Sequence, residues 1–138
     1  MKPPMISIFI ILCVLLSCKN NQHTPQDPEL QKSIQRGAIV YEDFCMQCHL
    51  PDGKGVPKAF PPLDGSDYLA KNRDASIRAV KYGMSGEITV NGQKYNTTMA
   101  PLGLTDEEVA DVMNYIYNTW SNKNPKMVTV DEVSKIQP

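Results

Sequence analysis

Strong charge of either sign is missing from this 138-residue chain. Its 14 lysines and arginines face 15 aspartates and glutamates, for a formal net charge of -1. A nucleic-acid binder needs a basic excess to neutralise phosphates, so that class is excluded. Aromatic residues are scarce at 7%, while a hydrophobic content of 41% is ordinary for a globular protein. The chain has room for one domain plus short extras. A domain of this size buries only a modest share of its surface, so a large cofactor inside it would form much of the core. No internal repeat is found. The apolar run from Met5 to Leu16, broken only by Ser7, is too short to cross a bilayer core of about 30 Å at about 1.5 Å per residue.

A basic Lys2 followed by that brief run reads as a secretory signal over residues 1–17. Its end, Leu15-Leu16-Ser17-Cys18, resembles the lipobox of bacterial lipoproteins, in which the cysteine is acylated and becomes the first residue of the mature chain. The alternative is an ordinary cleaved signal whose boundary happens to hold a cysteine. One acyl chain anchors a protein only marginally and two or more anchor it firmly. A multiply acylated Cys18 therefore implies an exported protein held on a bacterial membrane, facing the periplasm or the cell exterior. Residues 18–28 supply that cysteine and a polar, proline-containing flexible tether. His23 lies in the tether and reads as a solvated linker residue. Four cysteines would suit two disulfides, but Cys13 leaves with the signal and Cys18 carries lipid. Cys45 and Cys48 remain.

From residue 29 the pattern is helical. Asp27-Pro28-Glu29 combines a helix cap, a proline for the first helical position and an acid for the first turn. Leu30, Ile34, Gly37, Tyr41 and Phe44 then recur near helical spacing up to Cys45. A glycine inside a helix costs about 1 kcal/mol relative to alanine, so Gly37 predicts a close helix crossing. Residues 50–65 are loop, rich in Pro, Gly and Lys. Ser66 predicts a short helix through Ala70, and Asp74 caps a second that ends at Gly83. Residues 88–95 alternate around Asn91-Gly92, the signature of a tight hairpin. Thr105-Asp106-Glu107-Glu108 is a capping box. It opens a last main helix with Val109, Val112, Met113, Ile116 and Trp120 on its apolar face, closed by Ser121 to Pro125. The domain is expected to span residues 29–123, and the tail 124–138 to hold one short turn near Asp131.

The chemistry is concentrated at Cys45-Met46-Gln47-Cys48-His49. Two cysteines three apart at a helix end share one side of it. Their sulfurs can therefore reach the two vinyl groups of one haem edge, with His49 carried under the iron. This is the C-x-x-C-H pattern of c-type haem attachment. A zinc site would need a fourth ligand that the domain does not offer. A thioredoxin-like dithiol would want a βαβ pattern, and a simple disulfide leaves His49 unexplained. An iron held by one histidine either binds small molecules or, with a sixth ligand, carries electrons. Met99 is the favoured sixth ligand, in the extended, proline-stiffened Thr97-Thr98-Met99-Ala100-Pro101 before the last helix. Met84, in the loop after Gly83, competes with it.

The chain thus resembles a bacterial class I cytochrome c over about residues 29–123. The carriers of the likeness are Cys45, Cys48 and His49, Gly37 with Tyr41, Tyr115 on the last helix, and Pro61-x-Leu63-x-Gly65. The resemblance implies an all-α class I cytochrome c fold whose N- and C-terminal helices cross, with a small β-hairpin near residues 88–95. It implies one covalent haem c on Cys45 and Cys48, axial ligands His49 and Met99, and a hydrogen bond from the His49 Nδ1–H to the Pro61 carbonyl. It also implies a one-electron carrier rather than an enzyme, serving a reductase, oxidase or dehydrogenase. The hairpin and tail resemble cytochrome domains attached to nitrite reductases and alcohol dehydrogenases. The alternatives are a subunit of an oxidoreductase complex, or a haem enzyme or ligand sensor if Met99 is not on the iron. Lys54, Lys58, Lys71, Lys81 and Lys94 either ring the haem edge and guide a partner by charge or form an ordinary solvated surface.

Overall fold

The computed structural model describes residues 27–138. Helix α1 spans Pro28–Phe44, with the Asp27 side chain accepting from the Glu29 N–H and Pro28 in the first turn. Its buried residues, Leu30, Ser33, Gly37 and Tyr41, fall three or four apart, which is one helical face. A single turn, α2 (Met46–His49), follows a break at Cys45. After a loop come α3 (Asp67–Lys71) and α4 (Arg73–Tyr82), then strands β1 (Ile88–Val90) and β2 (Gln93–Tyr95), and finally α5 (Asp106–Asn118) and α6 (Val130–Lys135). The strands pair antiparallel with Thr89 opposite Lys94. Asn91 and Gly92 both take positive φ, 51° and 79°, as the tight hairpin turn requires. The architecture is helical with one small hairpin.

The core forms where α1 crosses α5. A Cβ on Gly37 would stand 2.0 Å from the Asp111 carbonyl oxygen, so only glycine lets the two backbones touch. Beside the contact, the buried Asp111 accepts from Ser33 Oγ (2.6 Å) and from Arg36 Nε and Nη2 (2.6 and 2.8 Å). A buried carboxylate needs such partners to offset its lost hydration. Asn114 continues the network, donating to Ser33 Oγ and to the Val128 carbonyl, and accepting from the Val128 N–H. The tail is thereby fastened to the crossing, and Val128 and Val133 are fully buried in the same core.

Two local readings of the sequence are corrected. Helix α4 begins at Arg73 with Asn72 at its cap, not at Asp74. Asn72 is shared with α3, its side chain donating to Tyr68 O and its own carbonyl accepting from Ser76. Helix α5 stops at Asn118, so Trp120 is not on its apolar face. Asn122 Nδ2 caps the Ile116 carbonyl. Trp120, at φ 56°, swings back to pack on Tyr41 and Tyr115, with ring centroids 5.3 and 5.8 Å away. Its ring also covers Gly53, where a Cβ would lie 2.7 Å from it.

Candidate functional site

The end of α1 delivers the motif cysteines. Continuing backbone bonds from Cys48 and His49 to the Cys45 carbonyl (3.1 and 2.9 Å) wind α2 tightly. Cys45, Cys48 and His49 therefore reach one cleft together. Burial, and then the neighbouring Cys48, push the Cys45 thiol up to about 11, so it is protonated at neutral pH.

The loop from Gly53 to Pro61 sets the histidine. Gly55, at φ 61°, would place a Cβ 2.3 Å from the Phe60 carbonyl oxygen and 2.6 Å from that of Pro61. The Gly55 N–H binds His49 O at 3.0 Å, and Val56 and Phe60 exchange backbone bonds of 2.8 Å. The folded loop points the Pro61 carbonyl at the ring, where His49 Nδ1 donates to it at 2.9 Å. Because a carbonyl only accepts, Nδ1 carries the proton and Nε2 keeps its lone pair. Burial lowers the His49 pKa, opposed by the Pro61 hydrogen bond. The ring is neutral at physiological pH, with Nε2 free of any hydrogen-bond partner among the described residues.

Met99 and Met84 reach the same cleft from a different stretch of chain. They form an isolated antiparallel bridge, with Met84 N to Met99 O at 2.8 Å and Met99 N to Met84 O at 2.9 Å. Gly83, at φ 78°, makes room for it, since a Cβ there would lie 2.6 Å from Met99 O. Thr97 Oγ1 ties the Met99 segment to the Ala59 carbonyl at 2.6 Å. The bridge and the backbone roles of Gly55 and Gly83 were not evident in the sequence as parts of a site. The one visible signal was Gly83 directly before Met84, since Gly55 stands six residues from both His49 and Pro61.

The cleft encloses about 1300 Å³ free of protein atoms, part of it open to solvent, between walls that include Phe44, Leu63, Leu69, Val80 and Ile116. Two thiols lining one cleft, a neutral imidazole held through its Nδ1, two methionines and apolar walls fit a haem c. They do not fit a zinc ion, and no cluster of three or more Cys, His, Asp or Glu among the described residues is arranged to hold a metal. Of the five lysines Lys58 alone makes no ion pair among the described residues, so they form no continuous free positive ring. Lys54, Lys71 and Lys94 pair with Asp52, Asp67 and Glu87. Lys81 is only 13% exposed and is held by Asp106 and the Val133 carbonyl. Cys18 and His23 lie outside the described residues, as do the signal peptide and nearly all of the tether. Among the described residues no helix is long and apolar enough to cross a membrane.

The cytochrome c family profile matches residues 34–120. Cytochrome c-552 of Thermus thermophilus is 41% identical over 110 residues, covering 73% of this chain and 83% of that protein. The cytochrome c subunit of the quinone alcohol dehydrogenase of Gluconacetobacter polyoxogenes is 31% identical over 105 residues, 73% of this chain but 22% of the subunit. The gluconate 2-dehydrogenase cytochrome c subunit of Pantoea cypripedii is 32% identical over 123 residues, 81% of this chain and 27% of that subunit. The two dehydrogenase subunits are thus several times longer than the stretch they share with this chain. With a matching profile over most of the helical domain and a cleft of the right chemistry, the chain belongs to the cytochrome c family, as a class I monohaem electron carrier whose cofactor is covalently bound haem c.

Proposed function

We propose that Cys45 and Cys48 hold the haem through thioethers, that His49 and Met99 are its axial ligands, and that Pro61 orients His49. Each thiol adds across one vinyl double bond, sulfur to one carbon and hydrogen to the other, so attachment needs no oxidant. The observation that carries this reading is the His49–Pro61 hydrogen bond, which leaves a neutral Nε2 for metal in a cleft shared with both thiols. A bond to Nδ1–H also makes the imidazole a stronger donor. The bound haem supplies a one-electron ferric–ferrous couple. The Met99 thioether favours the ferrous state, and the apolar walls disfavour the extra ferric charge. If His49 and Met99 both held the iron, no position would be left for a small molecule and only electrons would pass.

The proposed organisation is a signal peptide over residues 1–17, an acylated Cys18 with its tether to residue 28, the cytochrome domain over 29–123 and the tail 124–138. That arrangement puts the carrier on a membrane facing the periplasm or cell exterior, passing electrons to or from a redox protein there. Its lysines are largely neutralised by adjacent carboxylates, so contact rather than long-range attraction selects the partner. A second reading, a cytochrome subunit held in a dehydrogenase complex, is favoured by relatives that are themselves dehydrogenase subunits.

Ferrous protein with both axial positions filled takes up carbon monoxide slowly or not at all; rapid, stoichiometric uptake would instead make this a ligand-binding haem protein. Purification from solubilised membranes separates a shuttle, which comes out alone, from a subunit, which brings a dehydrogenase with it. The mass of the mature N-terminus tests the anchor: a free amine and thiol on Cys18 would refute acylation.

A further inference from the structure

The Met84–Met99 bridge has a consequence for the iron. Residues directly opposed in an antiparallel pair project their side chains to the same face, with Cα atoms about 5.5 Å apart when they exchange both hydrogen bonds. Met84 and Met99 are such a pair, bonded both ways at 2.8 and 2.9 Å, and both line the cleft. Gly83 presses against the Met99 carbonyl and Thr97 is tied to Ala59, so one braced clip presents two thioethers. Methionine is unbranched, with three rotatable side-chain bonds and a polarisable sulfur, so a small rotation moves that sulfur by ångströms.

We propose that Met84 is a reserve sixth ligand, which takes the axial position when the Met99 thioether leaves it. This rests on the reading of His49 and Met99 as the axial pair. The exchange breaks one sulfur–iron bond and forms another, each sulfur donating a lone pair, with no proton moved and no change of oxidation state. Its effect is to keep the carrier closed to small molecules when Met99 is displaced. If Met84 only filled space, its sulfur would be dispensable in every background.

Three holoprotein variants decide it: Met84→Leu, Met99→Leu and the double. Leucine keeps the volume and removes the sulfur, a swap that well-packed sites tolerate. The readouts are the sulfur-to-ferric-iron charge-transfer band, the ring-current-shifted ligand methyl resonance of the ferrous protein, and carbon monoxide uptake. The expected result is a native band in Met84→Leu, a displaced band with a new methyl resonance in Met99→Leu, and loss of both with rapid uptake in the double. A Met99→Leu protein that matches the double overturns the reserve ligand while leaving Met99 as the native one. Loss of the band in Met84→Leu, with a native band in Met99→Leu, overturns the axial assignment itself. Met99→Ala, which cannot crowd the clip, is read in the same way should the leucine variant not fold.

Discussion

Replacing Gly37 by alanine sets two effects of opposite sign against each other. Alanine is the better helix former by about 1 kcal/mol, and Gly37 lies well inside α1, so propensity alone favours the substitution. Packing opposes it. The new methyl would lie 2.0 Å from the Asp111 carbonyl oxygen, 2.5 Å from its carbon and 2.9 Å from Tyr115 Cβ, where ordinary contact distances are about 3.5–4.0 Å. Two of the three obstacles are backbone, so α1 and α5 must part by more than about 1 Å. Parting them strains the Ser33–Asp111 and Arg36–Asp111 bonds, now 2.6–2.8 Å. It also opens the stack of Tyr41 on Tyr115, whose centroids are 5.2 Å apart. Overpacking of this kind costs about 1–3 kcal/mol and sometimes more. Severity at a backbone contact puts Gly37→Ala at the top of that range, for a net loss of about 2 kcal/mol after the propensity gain. With a urea m-value of about 2 kcal/mol/M, the midpoint falls by about 1 M. Urea unfolding of the holoprotein, followed by Trp120 fluorescence, measures it. A midpoint equal to or above that of the native chain would refute the close-crossing account.

Two further substitutions probe the site and the tail. Gly55→Ala should push the Pro61 carbonyl off His49, weakening the ligand as a donor and raising the reduction potential; an unchanged potential and iron–histidine stretch would mean that the loop does not set the ring. The Glu132 carboxyl is shifted below its ordinary pKa, chiefly through its hydrogen bonds to Arg73 at 2.6 and 2.9 Å. A carboxylate whose pKa is depressed by folding stabilises the fold above its unfolded value, about 4.3, and that contribution disappears as pH falls through its folded value. Glu132→Gln should therefore lose about 1–3 kcal/mol at pH 7 and converge with the native chain in acid; a difference that stays constant across the acid range contradicts this.

Features written in contiguous residues were legible before any coordinates. The Thr105–Glu108 capping box, the Asn91-Gly92 turn and the Cys45-to-His49 motif each carry their geometry within a few residues. Gly37 was legible as a crossing point because a glycine inside a helix needs a reason. Legibility failed where distant partners decide. Nothing in residues 118–120 announces that Trp120 leaves the helix to cover Gly53 and donate to Pro51 O. Nothing in the tail states that Asn114 will hold Val128 at both ends of its peptide pairing. The Pro61 carbonyl has no residue-type signature, since every residue has one, and only the family resemblance pointed to it. Met84 and Met99 are 15 positions apart and meet through backbone hydrogen bonds, which side-chain chemistry does not encode.

The central claim is that one haem is covalently fixed at both motif cysteines. Tryptic cleavage after Arg36 and Lys54 should release residues 37–54 as one peptide. Mass spectrometry of that peptide, from protein alkylated under denaturing conditions, measures the claim directly. The account predicts the peptide mass plus one intact haem, with Cys45 and Cys48 both unalkylated. Haem lost to acidified acetone, with both thiols alkylated, would contradict it, as would attachment through only one of the two.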